Sequence, residues 1–223
     1  MANKVNYDDE YYRDILDGLS AYYESPLIAD LLTTINNLPA PGLGNAWNFN
    51  QISGKRWLVE TLANHVDDKI EKILLLGGWY GVLASLLLDH PMFAQTHISS
   101  LDIDPGCEDV ARSINKSQVE QGRFEALTAD MFDFDYPAWV NSENSIIVNT
   151  SCEHIRAFDK WFDSIPHGTL LVLQSNDYFS CDEHVNCVNS LQEFKQQAPL
   201  SELRFSGGLK LKKYTRFMLI GRK

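Results

Sequence analysis

The sequence predicts an α/β fold: a mostly parallel, seven-stranded sheet with helices on both faces, a terminal antiparallel strand pair and an N-terminal helical cap. From residue 71 onward, apolar strand-like segments alternate with helical segments, which is typical of a parallel sheet covered on both faces. The last two strands are separated by a short connection, which favours an antiparallel pair because parallel neighbours need a longer crossover. Before residue 53, apolar residues recur at helical spacing only, which predicts the cap.

The helical cap is predicted to occupy residues 1–52. Apolar residues keep helical spacing over 8–36, and Ser25 and Pro26 divide them into two helices. Residues 37–50 are rich in Pro, Gly and Asn, which indicates a loop. A third helix is predicted over 53–67 with Ser53 as its N-cap, and it opens a second domain, 53–223.

The second domain contains all seven predicted strands. They lie over 73–76, 97–103, 124–130, 145–150, 168–175, 201–206 and 213–222, and Ser206-Gly207-Gly208 marks the connection between the last two. The intervening helices are predicted over 80–89, 105–115, 157–163 and 182–196. This order is that of a Rossmann-like domain.

Composition and charge restrict the function classes. The 223 residues are 44% hydrophobic and 22% charged, with a formal net charge of −11, which is ordinary for a globular protein and argues against a nucleic-acid partner. No segment approaches the roughly 18 apolar residues of a membrane helix, and the first residues lack the apolar core of a secretory signal. We expect a cytoplasmic protein with a small-molecule substrate and no membrane partner, and leave open whether it forms a homo-oligomer.

The segment KILLLGGWYGVLASLLLDH, residues 72–90, predicts a strand, a tight turn containing Gly77, Gly78 and Gly81, and a helix. Glycines let backbone N–H groups approach a ligand closely, and parallel sheets bind ligands at the carboxyl ends of their strands. The spacing G-G-x-x-G differs from the dinucleotide fingerprint G-x-G-x-x-G. A tight turn without a ligand is the alternative interpretation.

Two further strand ends carry acidic residues. The second strand ends in LDIDP, where the Asp102 carboxylate can accept hydrogen bonds from both hydroxyls of a ribose. The third ends in TADMF, where Asp130 and the backbone of Met131 can meet an adenine edge. Together with the glycine turn, these ends predict a nucleoside site at one edge of the sheet.

The order of glycine loop, LDIDP, ALTADMF and VNTSCEHI, with a terminal antiparallel pair, resembles that of the class I S-adenosylmethionine-dependent methyltransferases. The resemblance covers about residues 55–223 and implies S-adenosylmethionine as cofactor, with the loop at its methionine part, Asp102 at the ribose and Asp130 at the adenine. Two positions depart from the family pattern: Leu75 stands where an acidic residue is usual, and Trp79 where the middle glycine is usual. Both affect the methionine end of the pocket. We assign to the cofactor site Lys55, Gly77, Gly78, Trp79, Tyr80, Gly81, Asp102, Ile103, Asp130, Met131 and Asn149.

Candidate catalytic residues follow the fourth and fifth strands: Asn149, Glu153, His154 and Tyr178. His154 is the preferred general base because an imidazole titrates near neutrality; a structural role at a helix start is the alternative. Lys55 can meet a substrate or cofactor carboxylate, unless it is an ordinary exposed lysine.

In a helix, the spacing Cys181-x-x-His184-x-x-Cys187 would place three zinc-type ligands roughly on one face. Zinc ligands usually come from different elements and no fourth ligand is evident, so the sequence leads us to assign no metal.

The sequence thus predicts S-adenosylmethionine-dependent methyl transfer to a small molecule. Two alternatives stay open. ILLLGG is also similar to the start of spermidine-synthase-type aminopropyltransferases, so an enzyme that transfers an aminopropyl or aminocarboxypropyl group, or a lyase, is one. A non-catalytic nucleoside-binding protein is the other.

Overall fold

Seven strands organise the part of the chain that the computed structural model describes, which is residues 9–66, 69–140, 142 and 144–223. In chain order they are β1 (Lys72–Leu76), β2 (His97–Asp102), β3 (Phe124–Thr128), β4 (Ser145–Asn149), β5 (Leu170–Asn176), β6 (Glu202–Lys210) and β7 (Thr215–Arg222). The predicted strands are confirmed, with ends that differ by a few residues. The start of the first predicted helix, residue 8, lies outside the described residues.

The strands form one sheet in the order β3-β2-β1-β4-β5-β7-β6. β1 to β5 are parallel, and β7 pairs antiparallel with both β5 and β6. The predicted mostly parallel sheet with a terminal antiparallel pair is therefore confirmed. Leu76, the last residue of β1, lies beside Leu101 of β2 and Asn149 of β4. The loop after β1 consequently emerges between the carboxyl ends of its two neighbours.

Helices cover both faces of the sheet. They are α1 (Asp9–Tyr23), α2 (Pro26–Asn37), α3 (Leu43–Ala46), α4 (Phe49–His65), α5 (Val82–Asp89), α6 (Glu108–Ile114), α7 (Lys116–Glu120), α8 (Tyr136–Trp139), α9 (Phe158–Ser164) and α10 (Leu191–Gln197), with 3-10 turns at Pro91–Phe93 and Cys152–His154. Within the described residues, none of these helices has the length and apolar character needed to cross a membrane.

The core has two layers because β1 is apolar on both faces. Ile73 and Leu75 belong to a buried cluster shared with α4 and α5, whereas Leu74 and Leu76 belong to a second cluster that contains Trp161 of α9. Burial on both faces explains why the strand reads as a continuous aliphatic run without alternation.

Two predicted helix starts are wrong. α4 begins at Phe49 and not at residue 53, because the Asn48 side chain caps it by accepting a hydrogen bond from the backbone N–H of Gln51 at 3.0 Å. Ser53 is therefore inside the helix. The helix predicted over 182–196 starts only at Leu191, where the Ser190 hydroxyl accepts from the N–H of Glu193 at 3.2 Å.

The segment before α10 is held by contacts from elsewhere in the chain. The backbone N–H of Asn186 donates to the carbonyl of Glu153 at 2.8 Å, and its side-chain amide donates to the carbonyl of Cys152 at 3.0 Å. These tertiary hydrogen bonds take the place of the bonds that a helix would form. Sequence periodicity alone does not reveal such tertiary contacts.

The predicted turn at Gly207 and Gly208 is also wrong, because both glycines continue β6 and pair with Met218 and Phe217 of β7. A Cβ atom on Gly207 would lie 2.6 Å from Cζ of Phe205. The glycine therefore leaves room for this aromatic ring, and the chain reverses after Lys210 instead.

The second N-terminal helix, α2, docks on α6 and α7. The Thr34 hydroxyl donates to the Ser113 hydroxyl at 2.8 Å, and the N–H of Ser117 donates to Oδ2 of Asp30 at 2.8 Å. α4 crosses the predicted boundary between residues 52 and 53, and the division into cap and main domain stays a prediction.

A buried hydrogen-bond chain should contribute measurably to stability. Nε1 of Trp161 donates to the Tyr136 hydroxyl at 2.9 Å, and this hydroxyl donates to the Met131 carbonyl at 2.7 Å. Tyr136→Phe leaves the indole N–H and the carbonyl without this partner, so we expect a loss of about 1–3 kcal/mol in the free energy of unfolding. Urea unfolding measures it, with Tyr22→Phe as control because Tyr22 is 79% exposed. Equal midpoints for the two variants would contradict the prediction.

Candidate functional site

A cavity of about 1120 Å³ lies at the carboxyl edge of the parallel strands. Its wall is formed by the loops after β1 to β5, the first turn of α4 and the start of β7. The predicted site residues on this wall are Lys55, Gly77, Gly78, Trp79, Tyr80, Asp102, Ile103, Asp130, Met131, Glu153, His154 and Tyr178. The strand-end rule therefore brings nearly all of the predicted residues to one cavity.

Two predicted residues, Gly81 and Asn149, lie behind the wall. Gly81 is the N-cap residue before α5 and has a φ of 71°, and a Cβ atom there would lie 2.7 Å from Nδ2 of Asn115. Asn149 is fully buried, and its Oδ1 accepts from the N–H of Ser151 at 3.0 Å. Both residues support the loops from behind.

The loop after β1 comes closer to β2 than a side chain would allow. A Cβ atom on Gly78 would lie 1.9 Å from Oγ of Ser100, and the N–H of Gly78 donates to the Leu101 carbonyl at 3.0 Å. Gly77 has a φ of 62°, a region that favours glycine. The glycines thus allow the backbone to fold tightly over the end of the sheet.

Trp79 has a φ of 48°, a positive value that is uncommon for a residue with a side chain. Its N–H donates to Oδ2 of Asp102 at 2.8 Å. Its ring stacks on that of Tyr80, with centroids 5.1 Å apart, and both rings press against Gly42, where a Cβ atom would lie 3.0 Å from Trp79 and 3.2 Å from Tyr80. The two aromatic residues therefore join the glycine loop to the segment between α2 and α3.

Asp102, the last residue of β2, and Asp130, which follows β3, are arranged alike. Oδ1 of Asp102 accepts from the N–H of Asp104 at 3.0 Å, and Oδ1 of Asp130 accepts from the N–H of Phe132 at 2.9 Å. A carboxylate oxygen has two lone pairs, so each carboxylate keeps capacity for a ligand. Ile103 and Phe132 flank them on the wall and are 68% and 46% exposed, which provides apolar faces for a planar ring. Sequence reasoning missed Phe132.

Arg216 is the most consequential residue that sequence reasoning missed. It starts the buried run of β7, is only 8% exposed and lines the cavity. Its Nη1 donates to the carbonyl of Thr150 at 3.2 Å, and its guanidinium lies over the ring of Tyr214. Its Nε is buried without a hydrogen-bond partner among the described residues. The sequence signal that could have identified it is a charged arginine at the start of an otherwise apolar strand.

Lys55 lies on the same side of the cavity as Arg216. Gly54 permits this approach, since a Cβ atom there would lie 3.2 Å from Cδ of Arg216. The Lys55 ammonium donates to Oε1 of Gln51 at 2.6 Å. Burial, and then the charge of Arg216, lower the pKa of Lys55 to about 7. This amine is thus partly neutral near physiological pH, while the guanidinium keeps its charge.

Glu153, His154 and His184 meet at another part of the wall. Each offers one potential ligand atom, and these three atoms lie within 4.8 Å of one another. Cys181 also lines the cavity. Burial raises the pKa of Cys187 to about 11, so its thiol keeps its proton at neutral pH. His184 therefore groups with two residues that follow β4, and the predicted helical face shared with the cysteines does not form.

No protein-family model matches the sequence, and no curated protein matches it. Solved structures do match. A sarcosine dimethylglycine methyltransferase, described as putative, from Galdieria sulphuraria has a TM-score of 0.56 at 14% identity, with 78% of this chain and 86% of that chain covered. The N-methyltransferase NodS from Bradyrhizobium japonicum WM9 has a TM-score of 0.55 at 11% identity, with 80% and 98% covered.

The chain has the class I S-adenosylmethionine-dependent methyltransferase fold. A third match is the small RNA methyltransferase HEN1, with a TM-score of 0.59 at 16% identity and with 80% of this chain and 26% of that chain covered. The names of the matched proteins therefore include both small-molecule and RNA substrates. At these identities the matches establish the fold alone.

The pKa of Lys55 can be tested without knowing a substrate. A neutral amine reacts with acylating reagents, so labelling of Lys55 should rise with a midpoint near pH 7. Arg216→Gln should move this midpoint upward but not to that of a free lysine, because burial is the larger cause. Mass spectrometry after brief acetylation at a series of pH values measures the profile, with the exposed Lys116 as internal reference. Identical profiles for Lys55 and Lys116 would contradict the assignment.

Proposed function

We propose that this protein is an S-adenosylmethionine-dependent methyltransferase that acts on a small molecule. The observation that carries the proposal is the position of Asp102: its carboxylate lies at the end of β2 on the cavity wall and is bonded to the glycine loop. A ribose bound there would lie beside the loop, in a chain that has the methyltransferase fold.

The residues present fit the cofactor. Gly77 and Gly78 let the loop backbone pass tightly over the end of β2, and Asp102 and Asp130 retain acceptor capacity at the nucleoside end. Ile103 and Phe132 offer exposed apolar surface for the adenine. The cavity is somewhat larger than the usual range of about 300–1,000 Å³ for ligand sites, so it can admit an acceptor molecule beside the cofactor.

S-adenosylmethionine, when bound, supplies an electrophilic methyl group on a sulfonium. This chain's own contribution is then to orient the acceptor and to exclude water. Arg216 provides a permanent charge on the cavity wall, which favours an acceptor that carries a carboxylate or another anionic group. Tyr178 stacks on Tyr214, with ring centroids 5.5 Å apart, and completes this side of the wall.

A general base is required only if the acceptor loses a proton. Lys55 is suited to this role because its pKa of about 7 provides a neutral amine near physiological pH. His154 is the second candidate: its Nδ1 lies 3.2 Å from the Glu183 carbonyl, and donation there leaves a lone pair on Nε2. Glu153 is buried beside it, which suits orientation better than exchange with solvent.

Cofactor binding provides the first test. Isothermal titration with S-adenosylhomocysteine should show one site, and Asp102→Ala should weaken binding by about 1–3 kcal/mol, which is roughly 5- to 150-fold in Kd. Asp104→Ala is the matched control, because Asp104 is an exposed neighbour on the same wall, and its Oδ1 accepts from the N–H of Gly106 at 2.8 Å. If both variants bind as tightly as the wild type, Asp102 does not hold the ribose.

The transferred group provides the second test. The protein is incubated with isotopically labelled S-adenosylmethionine and a panel of small carboxylates, and the by-product is identified by mass spectrometry. We expect S-adenosylhomocysteine together with a labelled acceptor. With S-adenosylmethionine as the donor, methylthioadenosine would instead indicate transfer of the aminocarboxypropyl group or cleavage of the cofactor, and would contradict methyl transfer.

A further inference from the structure

We propose that Glu153, His154 and His184 form a binding site for one divalent first-row transition-metal ion, such as Zn²⁺, Fe²⁺ or Co²⁺, on the wall of the cavity. The three residues come from two parts of the chain: Glu153 and His154 belong to the 3-10 turn after β4, and His184 belongs to the segment that precedes α10.

The three side chains are close together without being bonded to one another. Their potential ligand atoms lie within 4.8 Å of one another, and the rings of His154 and His184 meet edge to face with centroids 4.6 Å apart. Among the described residues, no ion pair joins Glu153 to either imidazole. Bonds of about 2.0–2.2 Å to an ion place tetrahedral ligand atoms about 3.4 Å apart, so the widest pair would close by up to about 1.5 Å, which side-chain rotations can supply.

Both histidines are oriented as metal ligands usually are. Nδ1 of His154 lies 3.2 Å from the carbonyl oxygen of Glu183, and Nδ1 of His184 lies 2.9 Å from that of Tyr178. A ring that donates its Nδ1–H to a carbonyl carries its lone pair on Nε2. The hydrogen bond from Nδ1 thus fixes both the tautomer and the ring plane. Two imidazoles are thereby held with a free nitrogen each.

Glu153 provides the independent indication that a ligand is required. It is 2% exposed, and its Oε1 accepts from Nδ2 of Asn176 at 2.5 Å. Its Oε2 is buried without a hydrogen-bond partner among the described residues. An unsatisfied buried acceptor costs about 1–3 kcal/mol, and more when it is charged. A bound cation would offset this cost, and Asn176 would then be the outer partner that orients the carboxylate.

The ligand set indicates the class of ion. Imidazole nitrogens favour zinc, iron, copper and nickel, whereas Mg²⁺ and Ca²⁺ prefer all-oxygen ligands. Two histidines and one carboxylate leave coordination positions open. Because all three residues line the cavity, these positions are accessible from it. An oxygen or nitrogen of the acceptor could occupy these open positions, and this part of the inference rests on the proposed function. The binding of the ion itself does not depend on the proposed function.

A metal ion would also decide between the two candidate bases. The Nε2 lone pair of His154 cannot coordinate an ion and accept a proton simultaneously. With the ion bound, the cavity retains Lys55 as the base, at its other wall.

Titration of the metal-free protein with Co²⁺ tests the site. Coordination by imidazole and carboxylate produces visible d–d absorption, and we expect it to saturate at one equivalent per chain. His154→Ala and His184→Ala should each weaken Co²⁺ binding at least about 100-fold. His167→Ala is the matched control, because His167 is an exposed histidine elsewhere on the surface, and it should titrate like the wild type.

His154 is exposed, so His154→Ala should keep the fold and decides the question even if His184→Ala does not fold. Absence of saturable Co²⁺ absorption in the wild type, or His154→Ala titrating like the wild type, would overturn the proposal. S-adenosylhomocysteine titrated in the presence of a chelator separates the two proposals. Cofactor binding without Co²⁺ binding removes only the metal site, and Co²⁺ binding without cofactor binding removes only the methyltransferase function.

Discussion

The hydrogen bond from the backbone N–H of Trp79 to Oδ2 of Asp102 joins the ends of the first two strands at the edge where ligands bind. It forms only because Trp79 accepts a φ of 48°, a conformation that costs of order 1 kcal/mol or more for a residue with a side chain. A hydrogen bond to a charged group returns about 1.5–3 kcal/mol. The stacked rings of Trp79 and Tyr80, packed on Gly42, add further stabilisation.

This arrangement explains why aromatic residues stand in a loop that usually carries small ones. Gly77 and Gly78 give the loop backbone its tight path over the end of the sheet, which is the role expected of glycines. The side chains of Trp79 and Tyr80 perform a different part and fix the N-terminal segment beside the cavity. A substitution in either ring would therefore act on the position of α3 and α4 as well as on the ligand pocket.

The sequence predicted those features that depend on local pattern. Apolar segments that alternate with helical ones identified the strands, and the rule that ligands lie at strand ends brought Asp102, Asp130 and the glycine loop to one cavity. Features that depend on tertiary contacts were missed. The Asn48 cap shifted the start of α4, and the contacts of Asn186 with the turn after β4 kept the segment before α10 out of a helix.

The same distinction applies within the site. Arg216 is more than 150 residues from Lys55 in the sequence, and their proximity follows from the antiparallel placement of β7 beside β5. His184 was singled out together with two cysteines on an expected helix. Cys187 does lie beside it, with Sγ 3.7 Å from Nδ1, but the helix is absent and Glu153 and His154 approach from the turn after β4. Sequence spacing identifies partners on one element, whereas this cavity is assembled from elements that the sheet topology brings together.

We propose that a nucleoside binds over the end of β2, with Asp102 between it and the glycine loop. A crystal structure of the complex with S-adenosylhomocysteine tests this binding mode. We expect both ribose hydroxyls within hydrogen-bond distance of the Asp102 carboxylate and the adenine between Ile103 and Phe132, beside Asp130. Ligand density elsewhere in the cavity, with Asp102 bonded only to Trp79 and Asp104, would contradict it.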